Sequence, residues 1–151
     1  MPTLNNVFVH YHFVGTCTKL LVSGEQTDGA FSMLEMLGPP GGATPMHIHA
    51  HEEETIHVLE GALEATIGDK TMILQAGETI VLPRQMAHRL STHGERTARY
   101  FVVCSPAGFE RFIDACADAQ DHPVTPEPPS PADIERLCAA APRYGITLLA
   151  D

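Results

Sequence analysis

His47 and His49 stand two apart in the segment Pro45-Met46-His47-Ile48-His49, and residues two apart in an extended chain project from the same face. Two imidazoles converging on one point, with Ile48 turned away, make half of a metal site, because buried histidines without an ion each need a hydrogen-bond partner of their own. Glu54 follows after a short turn, at a spacing that can bring its carboxylate back to that point, and Gly61 closes the apolar stretch it begins. A second segment, Gly77 to His88, runs from a glycine turn through Thr79-Ile80-Val81-Leu82 to Pro83, and delivers a further imidazole at the head of another strand. The chain has 9 histidines against 9 Lys plus Arg, and six of them lie between residues 47 and 93, so this region is where chemistry is expected.

The elements that must position these side chains are short and β-rich. Val7 to Val14, Thr16 to Ser23 and Ala30 to Leu37 carry alternating apolar, β-branched and aromatic residues, with Gly15, Gly24 and Asp28-Gly29 as punctuation. Beyond the irregular Gly38-Pro39-Pro40-Gly41-Gly42, strands are expected at Thr55–Leu59, Leu63–Ile67, Thr71–Leu74, Thr79–Leu82, Arg89–Thr92 and Ala98–Cys104. Strands at this spacing without helical pattern between them predict an antiparallel sandwich or barrel over residues 1–104. Residues 105–151 differ: Phe109, Phe112, Ile113 and Cys116 fall at helical spacing, and Ser130-Pro131 opens a second helix with serine as its cap. Two such helices cannot build a core of their own, so they are expected as a tail packed on the β domain, ending in the apolar Tyr144 to Leu149.

Composition bounds the partners. A length of 151 residues suits one domain, and a net charge of −10 without a basic cluster excludes nucleic acid and anionic membrane surfaces as expected partners. No apolar run approaches the roughly 18 residues a membrane-spanning helix needs, and the N-terminus has no cationic start before an apolar core. Cys17, Cys104, Cys116 and Cys138 have no metal-type spacing and read as reduced thiols, which points to the cytoplasm.

Taken together, Gly41, His47, His49, Glu54 and Gly61, followed by Gly77, Pro83 and His88, resemble the paired motifs of the cupin superfamily in residue type and spacing. Gln85 and Thr92 depart from the pattern, standing where the family usually has glycine and often has asparagine. The resemblance implies an all-β, antiparallel jelly-roll barrel with a short C-terminal helical appendage. It also implies one divalent metal held by His47, His49, Glu54 and His88. Three imidazoles and a carboxylate suit Fe, Mn, Ni, Co, Cu or Zn rather than Ca or Mg, and leave a residual charge near +1 with open positions on the ion. The Pro-Met-His-Ile-His opening and the Gly-Phe-Glu-Arg-Phe tail are similar to small single-domain cupins described as quercetin-dioxygenase-like. That implies a dioxygenase using O₂ on a small enolic or phenolic molecule, anionic or deprotonatable, with Glu54 doubling as the catalytic base. The alternatives are a metal-assisted isomerase, cyclase or lyase, and a non-catalytic small-molecule-binding cupin. The family commonly forms dimers, and Val7 to Val14 is the candidate edge.

The remaining polar residues receive plainer expectations. Glu52 and Glu53 read as solvated turn residues, with Glu53 an alternative ligand if a bulge shifts the register. His51 reads as a rim residue, His57 as outward-facing, Arg84 as a solvent-facing turn residue, and His10, His12 and His93 as surface or interface residues. Met36, Ile56, Val58, Ile67, Met72 and Phe101 are the expected inward wall.

Overall fold

The computed structural model describes residues 8–150. Ten strands come first: β1 (Val9–Phe13), β2 (Thr16–Val22), β3 (Ser32–Gly38), β4 (His47–His49), β5 (Glu53–Glu60), β6 (Ala62–Ile67), β7 (Lys70–Gln75), β8 (Thr79–Leu82), β9 (His88–Thr92) and β10 (Ala98–Ser105). The helices α1 (Phe109–Cys116) and α2 (Pro131–Ala140), a 3-10 turn (Ala141–Tyr144) and a last strand, β11 (Ile146–Leu148), complete the chain. No described helix is long and apolar enough to cross a membrane.

The strands form two antiparallel sheets, ordered β1-β2-β3-β10-β5-β8 and β11-β4-β9-β6-β7, in a jelly-roll arrangement. No ladder joins the two sheets among the described residues, so the architecture is a two-sheet jelly roll rather than a closed barrel. Two of the crossings between sheets run through Gly38-Pro39-Pro40-Gly41 and Pro83, where the prolines lack the N–H a continuous ladder would require. Alternation defines the inner faces: in β3, Ser32, Leu34, Met36 and Gly38 are buried and the residues between them are not. Inward residues of both sheets meet in one core that includes Leu34, Ile56, Val58, Leu63, Leu90 and Val102.

Two expected wall residues lie elsewhere. Phe101 is on the outer side of β10, whose buried residues are Ala98, Tyr100, Val102 and Cys104. A shift of one residue exchanges the faces of a strand, and the register of β10, with Tyr100 opposite Met36 of β3 and Val58 of β5, turns Phe101 outward. Met72 is exposed because β7 is the outermost strand of its sheet and buries only Leu74.

The C-terminal segment is built into this core. Buried Phe109, Phe112, Ile113 and Cys116 of α1 join it, and both phenyl rings meet Phe13 edge to face at 5.8 Å. Ser130 caps α2 in a reciprocal box with Asp133, and Pro131 occupies the first turn. The apolar end forms β11, which pairs antiparallel with β4, Ile146 opposite His49 and Leu148 opposite His47.

The glycine that ends the first motif has a steric reason. Gly61 adopts φ 72°, and a Cβ there would lie 2.7 Å from the Thr97 carbonyl oxygen. Gly61→Ala is therefore expected to destabilise the protein by about 2–3 kcal/mol, measured by denaturant unfolding.

Candidate metal centre

Three imidazoles come from one sheet and a carboxylate from the other. β4 carries His47 and His49, and its pairing with β9 sets His47 opposite His88. Glu54 lies on β5, in the facing sheet, opposite Leu82 and Cys104. His49 and His88 lie parallel with ring centroids 5.5 Å apart, and His47 stands edge-on 5.0 Å from His49 and 4.3 Å from His88. The four residues can each present a ligand atom within 4.8 Å of the others.

The outer nitrogens of the rings are all engaged. Nδ1 of His47 donates to the Pro45 carbonyl at 2.7 Å, that of His88 to the Met86 carbonyl at 3.2 Å, and that of His49 to Glu52 Oε2 at 3.2 Å. Acceptors of these kinds require the proton on Nδ1, which leaves the Nε2 lone pairs of the neutral rings facing inward. Nε2 of His49 and His88 and Oε1 of Glu54 are buried without a directed hydrogen bond. Glu54 lies 2.9 Å from His49 and 3.8 Å from His88, but these contacts lack hydrogen-bond alignment. Buried polar atoms left in this state, aimed at a common point, fit a cation between them.

Titration follows from the same packing. Burial pushes His47 down to about 4 and also lowers His88, so both are neutral near pH 7. Burial disfavours the His49 cation too, yet Glu54 foremost, with Glu52, outweighs it and holds His49 at about 9. Burial likewise opposes ionisation of Glu54, but His49 overrides it and the carboxyl stays low, at about 2. A metal requires neutral imidazole and displaces the His49 proton. Binding of Zn²⁺ near pH 7.5 is therefore expected to release about one proton, read by calorimetry in buffers of different ionisation enthalpy. Apparent affinity should rise by about one log unit per pH unit towards pH 9 and then level off. A buffer-independent enthalpy would count against this assignment.

Glu52 corrects an expectation. It is buried, 5% exposed, rather than solvated, because the turn before β5 folds inward and sets its carboxylate on His49 Nδ1. Its spacing, three residues from His49, carried no signal that separated it from exposed Glu53. As a second acid beside the cluster it also offsets the residual positive charge expected from four ligands alone. Glu52→Gln is expected to weaken metal binding by roughly 10- to 100-fold, checked by competition with a chelator of known affinity.

The other polar residues fall outside the cluster. Glu53 is exposed and pairs with Arg84 at 3.2 Å, so neither reaches the centre. His51 is exposed and its ring lies against Gly145, and His57 meets Thr79 Oγ1 at 2.7 Å in the register of β5 and β8. His12 and His93 are exposed, while His10 is buried, its backbone bridged to Gln120. Gln85, in the place of the family's glycine, keeps the left-handed turn (φ 64°) and donates its N–H to the His49 carbonyl at 2.7 Å. The turn is preserved at the cost of backbone strain.

His47, Glu54 and His88 open onto an apolar pocket. Phe109 and Phe112 of α1, Leu137 of α2, and Ile146 and Leu148 of β11 form much of its wall, and Phe109 meets the His49 ring edge-on at 5.1 Å. The helical periodicity of the tail predicted packing on the β domain but not that the helices would wall this pocket. Tyr100, on β10, lines the same pocket; burial, reinforced by Glu54, holds its phenol well above the usual range, so it keeps its proton.

Two facing antiparallel sheets with a three-histidine, one-glutamate cluster between them define the class. Residues 34–104 match the family model described as Cupin domain, and the chain belongs to the cupin superfamily. It is 28% identical to "Quercetin 2,3-dioxygenase" of Bacillus subtilis (strain 168), over 92% of this chain and 41% of that protein. It is 34% identical to "Polyketide synthase CurC" of Streptomyces cyaneus, over 44% of each. The chain thus spans less than half the length of these curated relatives. Among solved structures, a recombinant oxalate oxidase in complex with glycolate superposes with a TM-score of 0.54 at 27% identity, over 62% of this chain and 52% of that one. KdgF from Halomonas sp. superposes with a TM-score of 0.59 at 17% identity, over 67% and 91%, a likeness of fold alone.

Proposed function

We propose that the chain is a metal-dependent, dioxygenase-type oxidoreductase acting on a small enolic or phenolic molecule, with His47, His49, Glu54 and His88 as the metal ligands. The observation that carries this reading is the set of inward, unpartnered ligand atoms at the base of an apolar pocket. An ion bound there supplies Lewis acidity and, for a redox-active metal, electron transfer to dioxygen. The protein's own groups do the rest. Glu54 is ionised and placed to accept the substrate hydroxyl's proton, Glu52 holds the His49 ring in orientation, and the apolar wall keeps water away. The relative named as a quercetin dioxygenase supports this chemistry.

The test is oxygen uptake by protein loaded in turn with Fe, Mn, Ni, Co and Cu across a panel of enols and flavonols. Substrate-dependent uptake with at least one metal is expected, and flat traces throughout would sink the oxygenase reading. The relative named as a polyketide synthase favours a second reading, a metal-assisted cyclase or isomerase, which would turn over anaerobically with zinc. The described cysteines are all free, which suits a reducing, cytoplasmic location. Homodimerisation through the β1 edge belongs to the same proposal, although Gln120 already occupies that edge at His10 and Val7 lies outside the described residues. A monomer by light scattering at micromolar concentration would exclude it.

A further inference from the structure

Tyr100 is 3% exposed at the centre of the six-stranded sheet, yet its hydroxyl has no hydrogen-bond partner among the described residues and is not among the sealed polar atoms. A buried tyrosine hydroxyl normally finds a partner, and this residue lines the pocket that holds the histidine–glutamate cluster. Of the other hydroxyls in the lining, Thr16 donates to the Phe13 carbonyl at 2.6 Å, while Thr44 accepts from the Leu90 amide at 3.1 Å. Tyr100 offers the pocket a donor that no protein group uses.

The pocket also restricts what can use it. Among the described residues no lysine or arginine lines it, so a dianion would meet only a centre whose positive charge the Glu54 and Glu52 carboxylates already offset. Its cavity volume is about 50 Å³, against the roughly 150 Å³ of an engineered apolar cavity that takes up one benzene. A single ring enters that space only in part, and a system of three fused or linked rings must leave most of its body in the mouth.

We infer that the ligand of this site is a compact weak acid, uncharged in solution and no larger than one small ring, carrying two oxygens: one directed at the His47–His49–Glu54–His88 cluster, the other accepting a hydrogen bond from the Tyr100 hydroxyl. This deepens the metal-centre reading and rests on it. It names the size and charge class of the ligand and assigns Tyr100 as a specificity-determining residue.

The test uses zinc-loaded protein, so that binding is read without turnover. Calorimetry compares maltol, a single-ring 3-hydroxy-4-pyranone, with a flavonol bearing the same hydroxy-ketone head, and with oxalate. Maltol is expected to bind at least about tenfold more tightly than either. Tyr100→Phe should retain its zinc and lose about five- to tenfold in maltol affinity. Zinc-loaded protein that binds the flavonol or oxalate as tightly as maltol overturns the inference while leaving the metal centre standing. So does a zinc-replete Tyr100→Phe protein with unchanged maltol affinity. If protein loaded in turn with zinc, Fe, Mn, Ni, Co and Cu retains no ion by elemental analysis, the metal-centre reading falls and this inference with it, a result distinct from the other two.

Discussion

His49→Ala protein purified without chelator is expected to carry far less than a tenth of an ion per chain, where the native protein retains about one. His49 has no exposed surface, and its ring has three neighbours at once: Glu52 at Nδ1, Glu54 beside Nε2, and Phe109 edge-on. Losing an outer-shell partner of a ligand already costs roughly 10- to 100-fold in affinity. Deleting the ligand itself also leaves two buried carboxylates facing each other without a cation. The variant should therefore lose about 3–5 kcal/mol of stability even without metal, read by denaturant unfolding at neutral pH. His51→Ala is the control: that side chain is exposed, and metal content and stability should stay at native values. Stoichiometric metal in the His49 variant would remove this residue from the ligand set.

Glu54→Gln is expected to lower substrate-dependent oxygen uptake by about 10²–10⁴-fold, the range associated with losing a positioned proton acceptor. Glutamine keeps the side-chain volume and one oxygen towards the cluster, so the six-stranded sheet should remain intact. The charge is what disappears. Because Glu54 is the main influence holding the His49 proton, the variant should also release less than the native proton on binding zinc, again by calorimetry. Two readouts moving together tie the residue to both roles. A variant with the native rate would leave Glu54 as a ligand at most, with the proton going elsewhere.

Much of the fold was legible because its signals are local. Alternation and glycine or proline punctuation place most strands, such as Thr79–Leu82, and Ser130-Pro131 marks the start of α2. Other features depend on contacts distant in sequence. Tyr100 and Phe101 are adjacent aromatics on one strand, and only the register of β10 against β3 and β5 decides which of them faces the pocket. Glu52 and Glu53 are indistinguishable by type and position, yet one buries its carboxylate on His49 and the other pairs with Arg84 at the surface. The segment Ile146 to Leu148 has apolar character without a period, and becomes a strand through its pairing with β4.

The sequence alone determined the chemistry on offer: three histidines and one glutamate at fixed spacings on strands, with glycines where the turns need them. The spacing of two between His47 and His49 sets both on one face whatever surrounds them, because strand geometry is local. The tertiary structure decided that they meet. His47, His49 and His88 belong to one sheet and Glu54 to the other, so the cluster exists only where the two sheets face across the core. The same packing brings Phe109, Phe112 and Leu137 from the far end of the chain over the cluster, and it leaves Tyr100 as a donor without a protein partner among the described residues. Pocket size and polarity are properties of surfaces contributed by segments as far apart as Phe13 and Leu148, and they arise only when burial of apolar area brings those segments together.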